Sequence, residues 1–409
     1  MSTQQAQAPT QTVLPGIGSR PWFLADFAGS AAIFLYVLSQ FKYIVRDPLS
    51  SDLGLQGPLE ALLIGLSFAF SLVACVMRRV VLPSPGVVLM LIYALFALLS
   101  SINSYYISFS AVKGLLLILT VGIAIGTSSA IGARAVIIRF YWSILAVIGL
   151  GFLMSLLLPD IFPLFRVDDS LRVRLWIFNN HPGVIADLVA VLLLLSPIIR
   201  PRPPIALQAG LFMLIFLTAS RVSTVALLGL LTLGSIWDRR QNGMLIGVLI
   251  AGLTILLVGS LRARFSHLLE RTLLEISTFN GRTFIWEFSL SLIREHPILG
   301  FGPDGLRDKF LHQYIWSSNS HNTYLEILLT SGWIGGGAFF FGWLLIVFRV
   351  KNLRDRSEVI AITLIHCYLA ITGLIGGLLM PIVNTGLFII LILACLKRNE
   401  SSYGKIEAR

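Results

Sequence analysis

The chain is a succession of apolar runs, each roughly 17 to 25 residues long, which is what a helix needs to cross a hydrocarbon core of about 30 Å. The runs begin near Phe23, Pro58, Ser84, Ala111, Val136, Pro182, Pro204, Val222, Gly243, Thr323, Glu358 and Ile382. That pattern predicts an all-α polytopic membrane protein with about twelve transmembrane helices. The seventh and eighth are the shortest and meet at the turn Ser220-Arg221. Composition agrees: 12% of the 409 residues are charged and 56% are hydrophobic, whereas a soluble domain carries about 25% charged residues. Cys75, Cys367 and Cys395 lie inside apolar stretches without metal-ligand or redox spacing. Residues 1–22 are polar and lack the basic head and apolar core of a cleavable signal, so they are expected to form a disordered cytoplasmic tail.

Charge supplies the orientation. A formal net charge of +11 could suggest nucleic acid in a soluble protein, but here the basic residues sit between apolar runs. Alternate connections carry Arg78-Arg79, Arg134 with Arg139, Arg200 with Arg202, Arg239-Arg240, and Arg349, Lys351, Arg354 and Arg356. Loops rich in Lys and Arg stay cytoplasmic. Lys397, Arg398, Lys405 and Arg409 put the C-terminus on the same side, so the number of spans is even and both ends are inside. The expected organisation is spans one to nine over 23–260, a large outward loop over 261–322, spans ten to twelve over 323–397, and a cytoplasmic tail over 398–409.

Two outward segments exceed ordinary loop length, 159–181 and 261–322, and long loops are usually functional or separately folded. In the longer one, Arg282 to Glu295 brings Phe284, Phe288 and Leu292 onto one side with Ile285 and Ile293 beside them, an amphipathic helix. Pro297 ends it, and ILGFGPDG gives a glycine-rich turn before a second helical stretch around Leu306 to Tyr314. The pair is expected to cap the membrane domain, its apolar side against membrane helices or lipid headgroups.

Arginine on the outer side runs against the orientation preference. Arg166, Arg172, Arg174, Arg221, Arg262, Arg264, Arg271, Arg282, Arg294 and Arg307 all fall there. Guanidinium groups bind phosphate bidentately and keep their charge, so several converging at a lipid surface suit a pyrophosphate; headgroup contacts and ion pairs are the ordinary alternative. Arg221 differs, because its short connection between two apolar helices holds the charge at the membrane boundary, facing a cavity or partner. Asp187 lies inside the sixth helix, where an acid needs a partner; it is either functional or salt-bridged to Arg221 or Arg174. His366 is mid-span and reads as an interhelical hydrogen-bond donor. His321, in SSNSHNTYLE, stands at the N-terminal edge of the tenth helix. The helix dipole disfavours the charged ring there, so the imidazole is available as a base, or else it simply caps the helix. Asp168-Asp169 lacks a third ligand at useful spacing, so no metal is expected, and no phosphate-binding loop or dinucleotide fingerprint occurs.

Taken together, Asn280-Gly281-Arg282-Thr283-Phe284-Ile285-Trp286, His296-Pro297-Ile298-Leu299-Gly300-Phe301-Gly302, His321-Asn322-Thr323-Tyr324-Leu325 and Ser331-Gly332-Trp333-Ile334-Gly335 resemble the signature of the O-antigen ligase and polymerase superfamily. Ser220-Arg221 and the stretch from Arg174 to Pro182 fall where that family carries an arginine turn and a His-Pro segment. Here the proline is followed by Gly183, where many members have asparagine. The resemblance covers roughly residues 170 to 340. It implies a membrane glycosyltransferase of GT-C type, metal-independent and inverting, at the periplasmic face of the bacterial inner membrane, with no cofactor. It further implies a glycan donor on undecaprenyl pyrophosphate, held by Arg221 and Arg282, with His321 activating the acceptor hydroxyl. Arg174, Asp187 and Asn322 are carried as supporting or acceptor-side residues.

The acceptor separates two readings. A ligase transfers finished polysaccharide to lipid A core, and this is the first reading. A polymerase of O-antigen or exopolysaccharide instead extends a growing lipid-linked glycan, with a chain-length regulator as a possible further partner. From another class, a transporter or flippase would also have about twelve spans, but transporters usually show two related halves, and the long loop has no counterpart in the first half.

Overall fold

The computed structural model describes residues 20–42, 56–77, 83–167, 173–178, 180–237, 282–314, 317–376 and 385–396. Outside them lie the ninth expected span from Gly243, the loop segment 261–281, Arg78-Arg79, Arg239-Arg240, Asp168-Asp169, Arg172, Arg262, Arg264, Arg271 and most of both expected tails. The helices are α1 (Arg20–Ser39), α2 (Gln56–Val76), α3 (Pro85–Leu99), α4 (Ile107–Ile131), α5 (Ala133–Leu157), α6 (Pro182–Leu195), α7 (Ile205–Leu217), α8 (Arg221–Trp237), α9 (Arg282–Glu295), α10 (Arg307–Gln313), α11 (Thr323–Arg349), α12 (Arg356–Gly373) and α13 (Thr385–Ala394). A helix stands near every expected start that falls on described residues, and the chain is a helical integral membrane protein. Among the described residues, five helices are long and apolar enough to cross a membrane: α2, α3 with its 3-10 continuation, α4, α5 and α11 with its own. Most others are shorter, because the chain breaks early: α6 runs into Ser196-Pro197, and α7 stops at Leu217, two residues before Ala219, whose φ is 54°.

One element was not foreseen. Within the outward segment 159–181, β1 (Phe165–Val167) and β2 (Val173–Leu175) form an antiparallel hairpin that pairs Arg166 with Arg174.

The core follows from sequence character. TGLFIILILA is apolar on every side, and α13 is accordingly buried along its length, with Phe388 stacked on Tyr36 at 4.2 Å. α3 and α11 lie against each other closely because Gly86 and Gly342 face each other; a Cβ on Gly86 would come 2.8 Å from the Gly342 carbonyl oxygen. Arg134 pairs with Glu358 at 2.5 Å and Arg139 with Asp26 at 2.5 Å, so the α4–α5 turn and the starts of α1 and α12 share one end of the bundle.

At the other end, two motifs form one device. Gly332, with φ 64°, kinks α11. An uninterrupted helix would bond the Trp333 N–H to the Leu329 carbonyl. Instead, Trp333 N–H donates to Pro297 O at 2.7 Å, and Leu329 O accepts from Phe301 N–H at 2.7 Å. Gly302 N–H likewise donates to Thr330 O at 2.9 Å. Gly300 and Gly302 take φ of 72° and 78° to make this turn. Asn103 Nδ2 donates to Gly300 O at 2.9 Å and Ser100 Oγ donates to Leu299 O, fixing the loop to the end of α3.

α9 coincides with the expected amphipathic helix, but its buried stripe is turned. Ile285, Ser289, Leu292 and Ile293 face inward, whereas Phe284 is 65% exposed. Ser289 sits at the centre of the i, i+4, i+7 stripe. Phe288 lies between the two cap helices, edge-on to Phe310 and Tyr314. A small second core of Ile285, Leu292, Phe301, Phe310, Leu328 and Leu329 seats the α9–α10 pair on α11.

Candidate active site

His321 ends the loop before α11, and its backbone is unusual: φ is 49°, the left-handed region that non-glycine residues rarely occupy. Such a conformation costs of order 1–3 kcal/mol and persists only where surroundings enforce it. Here they do. His321 N–H donates to Asn319 Oδ1 at 2.9 Å, and Asn322 caps α11 by accepting from the N–H groups of Tyr324 and Leu325 at 3.0 and 3.2 Å. The capping function therefore belongs to Asn322, not to His321. Burial pushes the His321 ring down to about 4, with repulsion from Arg282 and then His181 adding to the effect. The ring is thereby disposed towards its neutral form, within electrostatic range of the Arg282 guanidinium.

Arg282 opens α9, and its Nη1 donates to the Ile375 carbonyl, just past α12, at 3.0 Å. His181 caps α6: its Nδ1 accepts from Gly183 N–H at 3.1 Å, and Pro182 supplies the preset first position of the helix. When neutral, its proton is therefore on Nε2. Its ring meets Trp176 edge-on at 6.2 Å, and the Arg166 guanidinium lies 5.0 Å from the centroid of the same indole. The hairpin strand pair with Arg166 and Arg174 is thus linked through Trp176 to His181, which lies within electrostatic range of His321.

Arg221 opens α8 directly after the strained turn at Ala219. The turn is tied down from below. Ser220 Oγ and Ser223 Oγ share a hydrogen bond at 2.8 Å, Ser223 Oγ donates to Asp187 Oδ1 at 2.7 Å, and Tyr368 Oη donates to the same oxygen at 2.6 Å. Asp187 is only 5% exposed, and the partners that hold it are hydroxyls of α8 and α12, not the salt bridge weighed from sequence.

Arg282 and His181 are thus each brought within electrostatic range of His321, and α12 connects this group to the Arg221 turn. Tyr368 holds Asp187, the Ala370 carbonyl accepts from Tyr324 Oη at 2.7 Å, and Ile375 O accepts from Arg282. These points span about 10 Å along one helix end. Sequence reasoning passed over α12, Tyr368, Tyr324 and Glu326, whose carboxylate accepts two bonds from Ser320. The rule that singled out Asp187, an acid within an apolar helix, would have singled out Glu326 in TYLEILL. His366 does bond across helices, but as acceptor: Trp343 Nε1 donates to its Nδ1 at 3.0 Å. Among the described residues, no group of three or more His, Cys, Asp or Glu side chains is arranged to hold a metal ion.

A half-buried imidazole disposed towards its neutral form, within electrostatic range of one arginine and joined through a common helix to a second, can take a proton while negative charge accumulates nearby. Residues 206–340 match the family described as O-antigen ligase, which supports membership of the O-antigen ligase and polymerase superfamily. A comparison with curated proteins found no match.

Proposed function

With residues 206–340 similar to O-antigen ligases as premise, we propose that the chain is a metal-independent, inverting glycosyltransferase. It moves a glycan from undecaprenyl pyrophosphate to a sugar hydroxyl at the periplasmic face of the inner membrane, where the acceptor is lipid A core. The observation that carries the reading is His321: a half-buried imidazole, disposed towards its neutral form within electrostatic range of Arg282, in a backbone conformation that its surroundings must enforce. The imidazole accepts the acceptor hydroxyl proton as that oxygen attacks the anomeric carbon from the side opposite the pyrophosphate. The anomeric C–O bond breaks, its electron pair leaves with the pyrophosphate, and the configuration inverts. Arg282 and Arg221 stabilise the charge gathering on the leaving group, which is the largest demand such a transition state makes. Planar guanidinium groups suit this better than ammonium because two parallel N–H donors meet two phosphate oxygens. Arg174 and Arg166, on the hairpin linked through Trp176 to His181, serve the acceptor side. Asp187 and Asn322 hold the Arg221 and His321 turns respectively.

The test is a gel of surface and lipid-linked glycans from a strain lacking this protein, complemented with the parent or with His321→Ala. Long polymer retained on the polyprenyl carrier, with none on lipid A, is the expected result for the deletion and for His321→Ala. Single repeat units without long chains would transfer the same chemistry to repeat-unit polymerisation. Normal lipid A glycosylation by His321→Ala would remove His321 from the mechanism.

A further inference from the structure

We propose that Glu326 is a positioning residue for glycan transfer, holding His321 in its left-handed backbone by clamping Ser320 on the far side of the loop. The inference rests on the assignment of His321 as the base. Glu326 lies one turn inside α11 and is buried. Its Oε2 accepts from Ser320 N–H at 3.0 Å and from Ser320 Oγ at 2.7 Å. The Ser320 hydroxyl lies 2.9 Å from the Asn322 carbonyl oxygen, and it accepts from Asn322 N–H at 3.3 Å, bridging over His321. On the preceding side, Ser317 Oγ donates to Asn319 O at 2.6 Å, and Asn319 Oδ1 takes the His321 N–H. The N–H groups of Ser320, His321 and Asn322 are therefore all committed to side chains, and the carboxylate is the one of these acceptors that reaches back from inside the helix.

This differs from an ordinary helix cap. In a capping box, the glutamate at the third helical position bonds the N–H of the cap residue itself. Here the cap is Asn322, and Glu326 reaches past both it and His321 to Ser320. A helix-starting function is fulfilled by Asn322 alone. What the extra reach secures is the φ of 49° at His321, whose imidazole lies within electrostatic range of Arg282 and His181. Released from the clamp, the loop can relax to a common conformation and swing the ring away.

The bonds to Ser320 need an acceptor oxygen, not a negative charge, so the Glu326→Gln variant keeps them and Glu326→Ala does not. The experiment compares these two with Ser320→Ala and His321→Ala, as full-length protein in detergent. The donor is the lipid-linked glycan that accumulates in a strain lacking this protein, and both turnover and donor binding are measured. Glu326→Ala is expected to lose on the order of 10- to 100-fold in kcat, the scale of a misplaced catalytic group, with donor affinity unchanged. Glu326→Gln is expected to restore most of that loss, and Ser320→Ala to fall between. An unchanged kcat in Glu326→Ala, or a Glu326→Gln variant as slow as Glu326→Ala, overturns the inference. If Glu326→Ala does not fold, Ser320→Ala decides: lowered kcat with intact donor binding supports the clamp, and parental kcat overturns it. Full turnover by His321→Ala removes the base assignment and the inference together, whereas an inactive His321→Ala beside a fully active Glu326→Ala removes the inference alone.

Discussion

A histidine serves as a base only while neutral, and the surroundings of His321 set where that holds. Burial and the neighbouring Arg282 both disfavour the imidazolium, bringing the ring to about 4 instead of the ordinary 6.5 or so. Because the proton-accepting form is the neutral one, kcat/KM rises with pH through that value and is level above it. We therefore expect the acid limb of kcat/KM to lie near 4, and an acid limb near the ordinary histidine value would show that the ring is not held as described. At this scale much of the site was legible. His321 stood out because a polar SSNS run delivers it to a helix start, and Arg221 because a charge in so short a connection has no other place to go. Glu326 and Tyr368 were hidden for a different reason. Their importance lies in which loop they bond, and partners 6 and 181 residues distant in sequence leave no periodic trace.

Between residues and bundle stand the kinked α11 and the loop that mends it. The kink exists because Gly332 can take φ 64°, and a Cβ there would overlap the Ile298 carbonyl. Gly332→Ala is accordingly expected to destabilise the protein by about 2–3 kcal/mol, as overpacking and a forced backbone change both act. Thermal denaturation in detergent measures this, and an unshifted midpoint would mean that the interlock tolerates a side chain. Helix positions were readable from apolar run length, and the boundaries of α9 and the start of α11 were readable to the residue. The rotation of α9 was not: a sequence stripe led by Phe284 outweighs one centred on Ser289, although the smaller residue is the buried one. The hairpin escaped notice because three-residue strands are too short to show alternation.

Across the whole molecule, α12 is the element that joins the parts, and it lies beyond the segment matched by the family model. It supports the Arg221 turn through Tyr368 and Asp187, the His321 loop through Tyr324, and Arg282 through the Ile375 carbonyl just past its end. Tyr368→Phe removes one hydrogen bond to a buried carboxylate while keeping the ring, so a loss of about 1.5 kcal/mol in stability is expected. Donor affinity should weaken with it, because the Arg221 turn loses its anchor. Unaltered stability and donor binding in that variant would show that Ser223 alone holds Asp187. The interlock of residues 297–302 with 329–333 carries a consequence for hybrid proteins. Each half contributes hydrogen-bonding groups that the other leaves unfilled, so neither can be exchanged singly with the matching piece of a relative. Hybrids that cross over between Gly302 and Leu329 will split a lock from its key, while those that carry both pieces together keep it whole.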